Sequence, residues 1–396
     1  MRNIKGKKKV LILFLTLSVF VLLSANIKNV GLNKRALVVG LGIDREGDEY
    51  ELTAQTFMAK RVSDSSPGNG QALTVGAKGK SVDKAVAALN VKTGKTLSFA
   101  LCYVVIIGGE TAKNGVADAL DFLINKSDIA SNSMMLFTKE KAKDAMDINS
   151  PINQSGMMLL HDMLSDKQSK SYSVKTIKDF NADYYSRSRA SFVPVLDKID
   201  GEKSGGIAQD GGGESGSGEK SGGEQKNQYY GITETAVFKD GAYAFLLDRD
   251  ETLYLNFLER NNTRGVFTAE FDDGKNVTFE TDRKRLKTKY DLNGPSFTAE
   301  IKVLLTVCEI TRDDGRPAAQ NQTQRVALTD NERRTVADKI KNGVYKTLQK
   351  CKENKTDVLF LNDNFYQRFG KKWTAQAGEN YLDMIDIKIN VTVNAV

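Results

Sequence analysis

A single histidine, His161, and three cysteines, Cys102, Cys308 and Cys351, bound the chemistry open to this 396-residue chain. With one imidazole a histidine-based metal cluster is impossible, and a Ser/His/Asp triad would depend on that residue alone. His161 is therefore expected to be a packing or helix-surface residue. The cysteines are odd in number and contain no CxxC pair, which fits neither a disulfide framework nor a zinc site. They are expected in the core, Cys102 within the apolar run 100–107. No G-x-S-x-G elbow is present to raise a serine nucleophile.

Two short runs, Gly79-Lys80-Ser81 and Gly94-Lys95-Thr96, have the end of a phosphate loop but not its beginning. Such a loop needs a glycine five positions earlier, so that backbone N–H groups can wrap the phosphates, and Thr74 and Leu89 stand there. The first run is expected to be a strand-to-helix turn capped by Ser81. Acidic groups at Asp248, Asp250 and Glu251, at Asp272 and Asp273, and at Asp313 and Asp314 lack the fixed ligand spacing of a calcium loop and are expected in solvated turns. A glycosidase-type carboxylate pair is defined in space and is not legible in sequence. No cofactor or metal is expected. The segment 362–373 combines Phe365, Tyr366, Arg368 and Trp373, residue types enriched at binding hot spots, which makes it the candidate partner interface, with ordinary core packing as the competing reading.

These groups are carried by a chain that opens with a targeting signal. Arg2, Lys5, Lys7, Lys8 and Lys9 precede an uncharged, mostly apolar stretch, 10–23, that ends in Ser24 and Ala25. As a helix residues 10–25 would be roughly 24 Å long, a little short of the roughly 30 Å hydrocarbon core, so cleavage and retention as an anchor both fit. Leu23, Ser24 and Ala25 match a bacterial lipoprotein signal, but Asn26 occupies the place of the lipidated cysteine and has no sulfur nucleophile. The signal also explains the net charge of +7: it holds five of the 57 basic residues and none of the 50 acidic ones, leaving 52 against 50 in the body. Without an aromatic-interleaved basic patch, nucleic-acid binding is not expected.

Residues 201–227 are polar, Gly/Ser-rich and aperiodic, a flexible linker with a root-mean-square span of roughly 30 Å. Before it, apolar strands near 36–43, 103–107 and 134–137 alternate with helical patterns at 81–89 and 116–124, the signature of a mixed α/β sheet. Beyond it come strands at 232–238 and 243–247, a short helix at 252–258, and further strands at 264–271, 276–281, 286–290 and 297–307. Thr329 with Glu332 forms a capping box for a long helix with Val336, Ile340, Val344, Leu348 and Cys351 on one face, and an alternating strand closes the chain at 385–393. The expected fold is α+β, with mixed α/β sheets and flanking helices. The expected domains are 1–31 (signal or anchor), 32–200, the linker 201–227, and 228–396 with a possible division near 295.

These pieces, in their order, resemble the Ger(x)C family of spore germination proteins, the C subunits of nutrient germinant receptors. The likeness runs through LNKRALVVGLGIDREGDEYELTAQ (32–55), GKSVDKAVAALN (79–90), YVVIIGGE and ALDFLINKSDI (103–129), YYGITETAVFKDGAY (229–243) and TDVLFLNDNFYQRFGKKW (356–373). It implies a membrane-attached, extracytoplasmic protein at the inner spore membrane. That protein would assemble with an integral-membrane A-type subunit and a transporter-like B-type subunit and would have no catalytic activity. Asn26 departs from the family's lipidated cysteine, residues 27–31 replace its usual Trp-containing segment, and the linker is longer than the family needs. Two other readings of the residues stay open: an anchored hydrolase using a carboxylate pair, and a solute-binding protein working alone, which requires a closed pocket between the two bodies.

Overall fold

In a computed structural model of the full chain, the described residues are 18, 34–57, 72–126, 128–146, 148, 155–165, 172–199, 229–259, 265–272, 274–312 and 328–395. The expected N-terminal signal apart from residue 18, with Leu23 to Asn26, the expected linker 201–227, Asp273, Asp313 and Asp314 lie outside them. Among the described residues no helix is long and apolar enough to cross a membrane.

The first half runs β1 (Arg35–Glu46), β2 (Glu49–Phe57), β3 (Leu73–Gly79), α1 (Val82–Thr93), β4 (Thr96–Ser98), β5 (Val104–Ile107), α2 (Gly109–Asn114), α3 (Ala117–Asn125), β6 (Met134–Phe137), α4 (Ala142–Ala145), α5 (Gly156–Ser165), β7 (Lys175–Thr176), α6 (Ile177–Tyr184) and β8 (Ala190–Ile199). It continues with β9 (Tyr229–Lys239), β10 (Ala242–Leu247), α7 (Arg249–Asn256), β11 (Val266–Glu270), β12 (Lys275–Asp291), β13 (Ser296–Arg312), α8 (Asp330–Glu353), α9 (Leu361–Phe369), α10 (Lys371–Gln376), α11 (Tyr381–Met384) and β14 (Asp386–Ala395).

A ten-stranded sheet has the order β10-β9-β8-β6-β5-β1-β2-β3, with β4 and β7 pairing off that path. Its centre is parallel: β5 runs between β1 and β6 in register Gly40↔Val104 and Val104↔Met134. Strands covered on both faces must be apolar throughout, as VVII of β5 is. One face packs on α1, α3 and α6 through Leu89, Leu120 and Phe180, and the other on α4 and α5 through Ala142, Met157 and Leu160. Gly40 makes room for this second layer, since a Cβ there would lie 2.2 Å from Met157 Cγ.

The mixed sheets with flanking helices agree with the sequence reading, and several local details do too. Ser81 caps α1 by accepting the Lys84 N–H at 3.3 Å, and Gly79 lets that helix approach, because a Cβ there would lie 2.4 Å from Ala85 N. β2 alternates in sequence, Tyr50, Leu52 and Ala54 against Glu51, Thr53 and Gln55, as one wet face would require, yet it is buried on both faces. Its polar side, Glu51, Thr53 and Gln55, lies under α4 and α5, where Glu51 pairs with Lys143 and Gln55 bonds Ser155 and the Met146 carbonyl.

β9 and β10 follow the linker in sequence yet complete the first sheet, through antiparallel pairing of β8 with β9. This wing is buried on both sides. Val193, Ala236 and Phe238 face the first core, while Phe192, Val237 and Leu247 face a second core. That second core is roofed by a four-stranded sheet, β11-β12-β13-β14, and by α8, whose Val336, Ile340, Val344, Leu348 and Cys351 are buried as their spacing requires. The Thr329–Glu332 capping box is formed, with Glu332 also paired to Lys275.

Three expectations need correction here. The strands read at 276–281 and 286–290 are one 17-residue strand, β12, because a register shift between Thr281 and Arg283 absorbs Asp282 as a bulge and the pairing with β13 continues past it. The helix read at 252–258 is Arg249–Asn256, since Asp248 caps it and forms a capping box with Glu251; these acids serve a helix start. Cys102 and Cys351 are buried as expected, but Cys308 is exposed, near the far end of β13 where one face of the sheet is open to water.

Candidate functional site

Two places gather charge. The first lies at the carboxyl ends of β1 and β5. Asp44, the last buried residue of β1, accepts the N–H groups of Ala142 at 2.7 Å and Lys143 at 2.8 Å and so caps α4. Burial raises its pKa, against the pull of those two donors. The glycine pair 108–109 permits this contact: a Cβ on Gly108 would lie 1.9 Å from Asp44 Oδ1, and one on Gly109 would lie 2.2 Å from the Lys139 carbonyl. Beside them opens a cleft of about 870 Å³ lined by Asp44, Arg45, Glu46, Asp48, Glu110, Lys139, Glu140 and Lys141. Glu46 is bonded by both Lys141 and Lys78, which hold its carboxyl down to about 2. Lys139 pairs with Asp197 and Glu234, and Lys198 with Glu140. Glu46, Lys139, Glu140 and Lys141 of the cleft are thus held in ion pairs, most of them with residues outside its lining.

The second place is the joint between the two sheets. Asp357, 2 % exposed, accepts the N–H groups of Leu361 and Asn362 at 2.9 Å each, fixing the start of α9, and also the hydroxyls of Ser188 at 2.7 Å and Tyr381 at 3.0 Å. Asp363, in the first turn of α9, accepts the backbone N–H of Arg187 at 2.8 Å and of Ser188 at 3.0 Å, and lies 2.7 Å from the Ser188 hydroxyl. Burial raises the Asp357 carboxyl, and burial together with that carboxyl raises the Tyr381 phenol. Nearby, Lys175 lies between the rings of Phe192 (4.5 Å) and Phe360 (5.2 Å) and pairs with Asp183 at 3.0 Å. Lys284 donates to the carbonyls of Asn256 and Glu259, and burial pushes it down to about 8.

The backbone is strained at the same joint. Among the described residues the non-glycine positions with positive φ are Arg189 (47°), Asp240 (52°), Lys355 (52°) and Phe360 (54°). Arg189 and Asp240 face each other, the guanidinium 2.8 Å from the carboxylate. Lys355 and Phe360 flank Asp357. A side chain in the left-handed region costs of order 1 kcal/mol and persists only where the surroundings over-determine it. An opening of about 340 Å³ at the joint is lined by Arg187, Arg189, Asp240, Lys352, Tyr381 and Asp383 among others, and here too Lys352 faces Asp383.

The residues singled out in 362–373 divide between core and surface. Phe365 and Trp373 are in the second core with ring centroids 4.5 Å apart, and Trp373 Nε1 donates to Asn362 at 2.9 Å. Tyr366 is on the surface, with the Arg187 guanidinium 3.4 Å from its ring centroid, and Arg368 lies over Tyr290 at 4.0 Å. Tyr366 thus contributes to the joint from outside, while Phe365 and Trp373 hold α9 from inside. His161 packs on Tyr103 at 4.7 Å, as a lone packing histidine does. Among the described residues no group of three metal-ligating side chains occurs. Ser188, Asp357 and Asp363 escaped the sequence reading: Asp357 stands four residues before the helix it caps, a weak signal, and nothing local announces its partner in Ser188.

Residues 29–198 match the family described as spore germination protein N-terminal domain, and residues 233–396 match the family described as spore germination B3/GerAC like, C-terminal. The chain is 22% identical over 369 residues to spore germination protein B3 of Bacillus subtilis (strain 168), covering 90% of this chain and 89% of that one. A solved structure, the crystal structure of the GerBC protein, shares the fold with a TM-score of 0.50 at 17% identity, covering 90% of this chain and 97% of that one. With both halves matched in order and the same architecture behind them, the chain belongs to the Ger(x)C family of spore germination proteins.

Proposed function

We propose that this chain acts without catalysis, as the extracytoplasmic subunit of a nutrient germinant receptor, assembling with integral-membrane A-type and B-type subunits and coupling their states during germination. Its N-terminal segment would hold it at the membrane in place of the lipid that Asn26 cannot accept. The observation that carries the coupling role is the joint: all the left-handed non-glycine residues among those described, and the shared Ser188–Asp357–Asp363 contacts, lie where the two sheets meet. A ligand shifts an equilibrium only through differential affinity for its two states, and a strained, bond-dense joint is an element that can hold two arrangements.

The other readings have less support. A carboxylate-pair hydrolase needs free, converging carboxylates, and of those lining the cleft Asp44, Glu46, Glu110 and Glu140 are already engaged, which leaves Asp48 and Asp144. A solute-binding protein working alone needs a closed chamber between its bodies, and the opening there is small and lined by paired charges. The test is deletion in the sporulating host, with nutrient-induced germination measured as loss of spore refractility. Loss of the response to at least one nutrient, with the response to non-nutrient stimuli retained, is expected. An intact response to every nutrient, with related receptors also deleted, would overturn the reading.

A further inference from the structure

The outer face of the four-stranded sheet carries a dense cationic array that the cores and the joint do not use. In β12 the sequence Arg283-Lys284-Arg285-Leu286-Lys287-Thr288-Lys289 alternates with period two. Leu286, Thr288 and Tyr290 therefore turn towards Ile301, Ala299 and Phe297 of the core, and Arg283, Arg285, Lys287 and Lys289 turn outwards. Pairing in register brings Lys302 of β13 opposite Arg285, and Lys388 of β14 opposite Thr298, onto the same face. All six cations are exposed.

Around this array the acids on the face are Glu300, Asp291 and Asp386, with exposed Asp282 in the bulge beside Arg283; Glu270, Glu280 and Glu309 lie further along, beyond the bulge. Lys289 pairs with Glu300 at 2.7 Å and Lys388 with Asp386 at 3.2 Å. Arg283, Arg285, Lys287 and Lys302 make no ion pair with the described residues, and they cluster on two adjacent strands. The field they set up is felt by Glu300, whose carboxyl is held below its ordinary value by the Lys289 bond first and then by Lys287 and Lys302. Around the array the face carries Thr298, Asn390, Thr392 and Asn394, with the partly exposed Leu304 opposite Arg283, and among the described residues no aromatic ring on which a base could stack.

We infer that this face docks on an anionic phospholipid surface, with Arg283, Arg285, Lys287 and Lys302 against the headgroup phosphates. A cluster of unpaired cations on two adjacent strands complements a plane of phosphates, which arginine takes bidentately and lysine as a point charge. The inference borrows from the proposed function only the nearness of a membrane. Docking would orient the body against the bilayer instead of leaving it free at the end of its tether.

The experiment reconstitutes the full chain with vesicles of phosphatidylcholine alone or phosphatidylcholine with phosphatidylglycerol, and measures lysine acetylation rates residue by residue by mass spectrometry. Flotation with the neutral vesicles reports the N-terminal tether separately. Lys287 and Lys302 are expected to react several-fold more slowly with the anionic vesicles, and to lose that protection at high salt. Lys178, exposed on the other body, serves as the control and should be unchanged. The R283Q/R285Q variant should lose most of the protection at Lys287 and Lys302. Equal rates in the two vesicle types would overturn the inference. So would protection that develops only when membrane subunits are added, since the occupant would then be a protein.

Discussion

The hydroxyl of Ser188 lies 2.7 Å from a carboxylate oxygen of Asp357, its partner across 169 positions of sequence. This contact joins the turn before β8 to the loop before α9, and so the first sheet to the second. Asp357→Ala would strip the acceptor from two backbone N–H groups and two hydroxyls in a buried site, at about 1–3 kcal/mol for each donor that water cannot reach. A loss of about 3 kcal/mol or more in urea unfolding is the expected outcome. Ser188→Ala should cost less, about 1 kcal/mol, and the double variant should be non-additive because the two residues share one network.

The same carboxyl makes the joint sensitive to pH. Burial raises Asp357 above its ordinary 3.8, so over the window that starts there the folded chain holds a proton that the unfolded chain releases. Its contribution to stability is fully present below 3.8 and is lost as the pH rises through the raised folded value. Asp357→Asn, which keeps the shape and removes the titration, should flatten this part of the curve of unfolding free energy against pH. Parallel curves for the two proteins would contradict the assignment.

The three thiols should divide sharply. Burial pushes Cys102 and Cys351 up to about 12, leaving almost no thiolate at neutral pH, whereas Cys308 is exposed. One thiol per chain should react with a maleimide or disulfide reagent in the native state and three after unfolding, with Cys308 identified by peptide mapping.

Gly343 lies inside α8 against the Tyr254 ring, where an added Cβ would fall 2.3 Å from Cζ. Gly343→Ala gains about 1 kcal/mol in helix propensity. Displacing a packed ring costs about 1–3 kcal/mol. A small net loss is expected by thermal unfolding. In a Tyr254→Ala background the same substitution should stabilise, because the obstacle is gone.

Local signals were legible and long-range ones were not. The Ser81 cap, the Thr329–Glu332 box, the apolar strands β5 and β6 and the buried stripe of α8 follow from sequence because each is decided by residues a few positions apart. The bulge at Asp282 was hidden because a run of basic residues looks like a loop until its register with β13 is known. Asp248 and Glu251 read as acids of a solvated turn, because a capping box shows itself only once the helix start is placed. The joint was invisible for a related reason: Ser188, Asp357 and Asp363 are ordinary polar residues until the fold brings them together, and Phe365 and Trp373 look alike on a core and on an interface. The resemblance had flagged the segment 356–373, and the structure gives that segment a physical task in holding α9 to the first sheet.

The central claim is that the joint couples this subunit to the receptor's response. The most direct test replaces the chromosomal copy with Asp363→Asn, which weakens the grip on the Arg187 and Ser188 N–H groups while keeping the side chain's size. Nutrient-induced germination rate is then measured alongside the abundance of all receptor subunits in the spore membrane. The account predicts a rate changed by about tenfold, equivalent to a shift of about 1.4 kcal/mol between two states, with subunit abundance unaltered. A wild-type rate at wild-type abundance would contradict it.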